Sequence, residues 1–410
     1  MRCAYQAKMQ RLIIVSEQVD PDSTSTGYYW NAIIREFVKY FADVHVVCPK
    51  VSTGVFRDVY GIKLHPASMS KLPGSVLRTR LIAQCITTFC FVLTLMRYAR
   101  AGDVVMCGTN PALLPFLVSF LKGVVRFRWI LLVHDIFPEN LVPASVLKAE
   151  SLSFQAARSL SRVALREADA LIAIGRDMVD VLRQKLGRDK RIEYVPNWAS
   201  SVDGQLLQKR QCSLIKELHW EERVVFLFFG NFGRVQGIPD LLAGIRAVKD
   251  ERAAFLLVGS GYYSGCVADF AQEIGMERVY YHPQIPVSER AQMLCACDIA
   301  IVSLQKGMYG LGVPSKAYFS LAADRPILAF TDSRSETARL VEETKTGWHC
   351  PAGEPALLGR VIDELCATLV DYPTRHCLDV AKEFYSPDRA LGRLRLAVEC
   401  LFEPLERSVV

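Results

Sequence analysis

The sequence predicts an α/β protein of two domains, each a parallel sheet covered by helices. Two observations lead there. Short apolar runs such as Leu12–Val15, Ala170–Ile174, Val224–Phe229 and Ala254–Val258 alternate with longer stretches of helical period, which is the order that builds βαβ units. A chain of 410 residues also exceeds what one hydrophobic core usually fills, so two cores are expected. The polar, weakly periodic segment 199–211 lies between two such series and reads as a linker. It leaves one domain over 1–198, a second over 212–383, and a terminal helical segment over 384–410.

Composition excludes several classes of function. With 51% apolar residues the chain is expected to fold throughout. Forty-nine basic against 43 acidic residues give a net charge of +6, too mild an excess for a nucleic-acid enzyme but compatible with a local basic face. Thirteen cysteines form no CxxC pair, and Cys48, Cys85, Cys90 and Cys107 lie in apolar runs. They read as small hydrophobes in a reducing compartment. Neither cysteines nor the seven histidines fall at zinc spacing, so no metal is expected. Residues 1–11 lack an apolar signal, which points to the cytoplasm.

In the first half, a polar loop over 17–27 leads to a helix expected from Tyr28 to Phe41. Gly27 stands just before that helix, where a ligand can approach bare backbone or the chain can simply turn. Residues 69–100 carry Lys71, Arg78 and Arg80, then an uncharged run from Leu81 to Met96, then Arg97 and Arg100. The run is shorter than a membrane span. A second apolar stretch, Ala112–Leu121, precedes Lys122, Arg126 and Arg128. Both stretches suit partial burial on the sheet combined with contact to an anionic bilayer. The strand Trp129–Val133 ends at His134, Asp135, Ile136, Phe137, Pro138 and Glu139, the position where open α/β sheets bind ligands. There His134 suits a sugar hydroxyl or phosphate, while Asp135 or Glu139 orients a hydroxyl or caps a turn.

In the second half, Val224–Phe229 runs into Gly230, Asn231, Phe232, Gly233 and Arg234. These glycines bring backbone close to phosphate, and Arg234 adds a cation. Gly259 and Gly261 follow the next strand as a second small-residue loop. Pro314, Ser315 and Lys316 then open a helix whose leading N–H groups and lysine suit an anion. Ser335 and Glu336 open another, after the strand ending at Thr331 and Asp332. Ordinary α/β loops remain the alternative for each.

Taken together and in order, these motifs resemble the GT-B glycosyltransferases of family 4, in the branch that builds exopolysaccharide, capsule or O-antigen. The residues that carry the resemblance run from Gly27 through the His134–Glu139 cluster, Val195–Trp198, Gly230–Gly237, Gly259–Gly261 and Pro314–Lys316 to Ser335–Leu340. The resemblance implies two Rossmann-like domains facing a cleft and a last helix crossing back to the first domain. It further implies transfer of a sugar from a nucleotide-diphosphate donor to a polyprenyl-diphosphate saccharide with retention, at the cytoplasmic face of the inner membrane. It implies no cofactor or metal, and other polysaccharide-assembly enzymes as further candidate partners.

The same resemblance assigns His134, Asp135 and Glu139 to the sugar and acceptor side. Gly27 admits donor or acceptor phosphate, and Gly230, Asn231, Arg234, Gly259, Gly261, Pro314, Ser315, Lys316, Ser335 and Glu336 go to the donor, with Arg234 and Lys316 holding its diphosphate. The chain departs from the family pattern where Leu311 and Phe319 replace a pair of acidic residues, and where Asn231 and Gln236 replace cations. A neutral Phe319 accepts no ribose hydroxyl bond, so a catalytically weak or inactive partner protein is the competing expectation. A nucleotide-sugar epimerase or dehydrogenase would need an early GxGxxG, which is absent.

Overall fold

The computed structural model describes residues 11–69, 77–200, 209–283, 290–369 and 375–401. Lys71 and most of the expected linker lie outside the described residues, as do the side chains of Arg78 and Arg80. The chain divides into two compact units. One comprises Met1–Pro138, Ala149–Pro196 and Ala390–Val410, the other Glu139–Lys148 and Asn197–Arg389.

The first unit contains β1 (Arg11–Val15), α1 (Ser25–Phe37), β2 (Asp43–Pro49), β3 (Ile62–Ala67), α2 (Leu77–Tyr98), β4 (Val104–Gly108), α3 (Leu114–Val125), β5 (Arg128–Val133), α4 (Leu152–Glu167), β6 (Ala170–Ala173), α5 (Arg176–Leu186) and β7 (Ile192–Tyr194). Its seven strands lie in the order β3-β2-β1-β4-β5-β6-β7, and every pairing is parallel. Helices cover both faces, so β4 and β6 are buried at every residue and their sequences run apolar without alternation.

The second unit contains α6 (Ser213–Glu217), β8 (Val224–Phe229), α7 (Ile238–Ala247), β9 (Ala253–Val258), α8 (Ser264–Ile274), β10 (Val279–His282), α9 (Arg290–Cys295), β11 (Ile299–Ser303), α10 (Lys316–Ala322), β12 (Ile327–Thr331), α11 (Glu336–Thr344), β13 (Gly347–Pro351), α12 (Pro355–Thr368) and α13 (His376–Phe384). Six parallel strands stand in the order β10-β9-β8-β11-β12-β13. The last helix, α14 (Pro387–Glu399), belongs from Ala390 onward to the first unit. There Arg128 and Arg191 donate to the carbonyls of Leu401 and Cys400, each at 3.0 Å.

Four expectations need correction. Strands β3 and β13 were not anticipated: both are edge strands with one side open, and Pro66 or Gly347 dilutes their apolar pattern. The first helix begins at Ser25 rather than Tyr28, because Thr24 caps it by accepting from the Gly27 amide at 3.0 Å. Gly27 is therefore inside the first turn. The same helix stops at Phe37, after which Phe41 is buried from a turn. Asp20 caps the preceding turn by accepting from the Asp22 amide.

Among the described residues no helix is long and apolar enough to cross a membrane. Helix α2 is nonetheless unusual for a surface helix. Phe91 and Leu95 are buried on one side, while Ile82, Ile86, Phe89, Leu93 and Met96 are exposed at helical spacing on another. Water surrounds none of these at a gain, since an all-round apolar helix is normally enclosed.

Candidate active site

Each sheet has one point where strand order reverses, and the crevice outside the carboxyl ends of those strands is where open α/β sheets bind ligands. In the second unit that point falls between β8 and β11. Gly230 leaves β8 there with φ +128. The loop up to Gly237 is tied to the neighbouring strand: Ser303 donates its hydroxyl to the Gln236 carbonyl at 2.6 Å, and the Gln305 amide donates to Val235 at 2.8 Å. Helix α7 starts directly after it, with Asp240 in its first turn.

Lys316, first residue of α10, reaches back to this loop. Its ammonium lies 3.7 Å from the centre of the Phe228 ring and 3.4 Å from Gln236 Oε1. A methyl on Gly230 would sit 3.7 Å from the same nitrogen. The lysine stem is half-buried, but the charged end lies against protein, and that burial pushes its pKa down to about 7. Among the described residues its near contacts are an aromatic face and an amide oxygen, with no carboxylate beside them. The ammonium thus stands beside the glycine-bearing loop at the switch point of the sheet. Arg234, from the same loop, lays its guanidinium 3.6 Å from the centre of the exposed Tyr262 ring, a stacking contact that limits where the fork points.

The other donor-side residues occupy different roles. Gly259 has φ +144, and a Cβ there would stand 1.8 Å from the Gly230 carbonyl oxygen. At Gly261 it would stand 2.3 Å from Asn231 Oδ1. Both glycines therefore admit the Gly230–Phe232 loop rather than open space, and Asn231 serves as the packing partner. Pro314 and Ser315 precede α10, and Ser315 makes no side-chain cap bond. Ser335 caps α11 by accepting from the Ala338 amide at 3.3 Å while sharing a hydrogen bond with Thr331 at 2.9 Å. Glu336 is buried beneath the same turn. Asp332 accepts from the amides of Gly307 and Tyr309, at 2.9 and 2.8 Å, and so fixes the glycine-bearing loop before α10.

Leu311 is buried, and Phe319 is half-buried between two apolar clusters with the Arg290 guanidinium 4.2 Å from its ring centre. The two positions that depart from the family's acidic pair are thus packed as hydrophobes.

In the first unit the order reverses between β1 and β4. His134 and Asp135 follow β5, next to β4. Thr109 holds them: its hydroxyl oxygen accepts from the His134 and Asp135 amides, both at 3.2 Å. His134 stacks edge-on to Trp30 at 6.3 Å, and its buried Nδ1 has no partner among the described residues. Burial lowers its pKa to about 4, so the ring is neutral at pH 7. Burial also raises the Asp135 carboxyl to about 6. Its surface remains exposed, so water screens part of that shift and the ionised form predominates at neutral pH. Nearby, Asn110 donates to Glu17 at 2.7 Å.

Glu139 begins a short 3-10 turn and is assigned to the second unit, whereas His134 and Asp135 are assigned to the first. Gly27 belongs to the first unit, where a Cβ would lie 2.0 Å from the Asp20 carbonyl oxygen; packing alone accounts for that glycine. Thr109, Trp30, Phe228 and Tyr262 escaped the sequence reading. Only Tyr262, adjoining Gly261, carried a local signal. Replacing Thr109 by Val should lower stability by about 1–2 kcal/mol, because two amides lose an acceptor. An unchanged denaturant midpoint would remove Thr109 from this role.

Residues 25–198 match the family described as Glycosyl transferase 4-like domain, and residues 223–368 the family described as Glycosyl transferases group 1. The probable glycosyltransferase WbjE of Pseudomonas aeruginosa is 41% identical over 361 residues, spanning 87% of this chain and 90% of that protein. The chain belongs to this glycosyltransferase family. The putative colanic acid biosynthesis glycosyl transferase WcaI of Escherichia coli strain K12 is 22% identical over 46% of this chain and 47% of its own. Anabaena HepE, solved in complex with UDP-glucose, matches with a TM-score of 0.69 at 14% identity, over 95% of this chain and 99% of that one. Sucrose-phosphate synthase from Thermosynechococcus elongatus reaches 0.73 at 16% identity, over 96% and 99%. At such identities the structural likeness carries the fold. The glycosyltransferase has the GT-B fold, with the two α/β units expected of it.

Proposed function

We propose that this glycosyltransferase moves a sugar from a nucleoside-diphosphate donor to a hydroxyl of a polyprenyl-diphosphate-linked saccharide, with retention, during synthesis of surface polysaccharide. The observation that carries the reading is Lys316, a cation without a counterion among its near contacts, set beside Gly230 at the switch point of the second sheet. In the reaction the bond from the anomeric carbon to the diphosphate breaks and one to the acceptor oxygen forms. The acceptor proton passes to an oxygen of the departing diphosphate, on which negative charge develops as the bond breaks. Lys316 and Arg234 stabilise that charge as it develops. Neutral His134 hydrogen-bonds a sugar hydroxyl, and ionised Asp135 orients the acceptor. The colanic acid biosynthesis in the name of WcaI supports the polysaccharide setting, the name of WbjE supports the transferase activity, and the UDP-glucose bound to HepE supports the donor class.

The bare stripe on α2 supports peripheral attachment at the cytoplasmic face of the inner membrane, where the acceptor resides. Phe89→Asp combined with Leu93→Asp should reduce binding to phosphatidylglycerol vesicles by roughly tenfold or more, and an unchanged bound fraction would count against that attachment.

The deciding assay incubates the protein with nucleotide sugars and polyprenyl-diphosphate saccharides and follows the mass of the lipid. A gain of one sugar is expected. The packed Leu311 and Phe319 favour a second reading, a GT-B partner without turnover; no gain across a broad panel, from protein that still binds nucleotide, would establish it.

A further inference from the structure

Between α3 and α4 the first unit has a partly open cavity of about 210 Å³. Leu113 lines it from just before α3, Phe116 from α3, Ala157 and Leu160 from α4, and Val133 from β5; Thr109, Asp135 and Ser161 are the polar exceptions. Cavities of roughly 150 Å³ with walls of this kind stay dry and take up apolar molecules such as benzene. The void is therefore large enough for about one or two branched five-carbon units.

We propose that this cavity seats the first isoprene units of the lipid-linked acceptor, an inference that rests on the acceptor class given above. The lining joins Thr109 and Asp135, at the carboxyl ends of β4 and β5, to Leu113 and Leu160, which are exposed at 42% and 48%. Phe120 and Val124 on α3 and Val163 on α4 are exposed as well, so apolar surface extends from the lining along both helices. Helix α3 also packs on α2, whose exposed stripe continues the apolar surface. A chain entering from that side ends at the residues proposed to orient the acceptor.

Charge points the same way. Arg97, Arg158, Arg162 and Arg166 are exposed on α2 and α4, whose sequences together with α3 hold Glu167 as their one acid. An anionic, phosphorylated lipid suits that balance. An ordinary bilayer phospholipid has an acyl chain but no saccharide to present at Asp135, so the isoprenoid acceptor is the occupant.

The test uses the full chain and a twenty-carbon isoprenoid diphosphate, followed by titration calorimetry. Ala157→Phe fills the void from α4, and Ala112→Leu narrows it from the start of α3; thermal melts show which variants fold. Either folded variant should bind the isoprenoid diphosphate at least about tenfold more weakly, with attachment to phosphatidylglycerol vesicles unchanged. Wild-type affinity in both folded variants overturns the proposal. So does equal binding of inorganic diphosphate, because the chain then adds nothing, or equal competition by lysophosphatidylglycerol, because the site then takes any lipid tail. The two readings fail separately. If no saccharide lipid accepts sugar yet the variants lose isoprenoid binding, the reaction is wrong and the cavity assignment stands. If Ala157→Phe transfers sugar to the long-chain acceptor with wild-type KM, the cavity assignment is wrong and the reaction stands.

Discussion

Lys316→Met should lower kcat/KM for the nucleotide-sugar donor by about 10²–10³-fold while leaving the melting temperature unchanged or higher. Methionine keeps most of the stem against Phe228 but removes the charge beside Gly230. Because the folded-state pKa is depressed to about 7 from 10.5, the free lysine opposes folding while it is charged. That penalty is fully present below pH 7 and fades as pH rises toward 10.5, so stability should climb across this window and the variant should lose the climb. Donor binding runs in the opposite sense. A diphosphate raises the lysine pKa, so binding takes up a proton above pH 7 and weakens with rising pH, by up to about tenfold per unit. Calorimetry at pH 8 in buffers of different ionisation enthalpy reads the uptake directly. No uptake, or the same pH slope in Lys316→Met, would place the diphosphate elsewhere.

Gly259→Ala should destabilise the protein by about 3 kcal/mol or more and abolish donor binding with it. The residue needs φ +144, and its missing Cβ leaves room for the Gly230 carbonyl at what would be 1.8 Å. Adding the methyl drives β8 and β9 loops apart and displaces the backbone that Lys316 faces. Gly265 is the control. It lies in α8 with nothing within 4 Å of its Cβ position, so Gly265→Ala should be neutral or stabilising by up to about 1 kcal/mol. Urea melts of the two variants compare them; equal midpoints would mean that the glycine loops do not pack this way.

Buried strands were legible because both faces of each central strand are covered, which writes an uninterrupted apolar run into the sequence. The edge strands β3 and β13 were not, since one open side mixes polar residues and proline into the run. The position of the candidate donor loops was equally readable: a glycine after β8 and a Pro-Ser-Lys opening α10 follow from where strands stop and helices start.

What those residues touch was another matter. Lys316 meets Gln236 across 80 positions of chain, and Thr109 reaches the His134 amide across 25; no local pattern encodes either distance. The sequence by itself determined the α/β class, the two series of strands and the family, because hydrophobic period and turn chemistry act over neighbours. Only the tertiary structure decided that Gly259 and Gly261 make room for protein, that Lys316 carries a depressed pKa, and that a cavity opens beside Asp135. Burial and close approach arise where distant segments meet, and they exist only once the chain has folded.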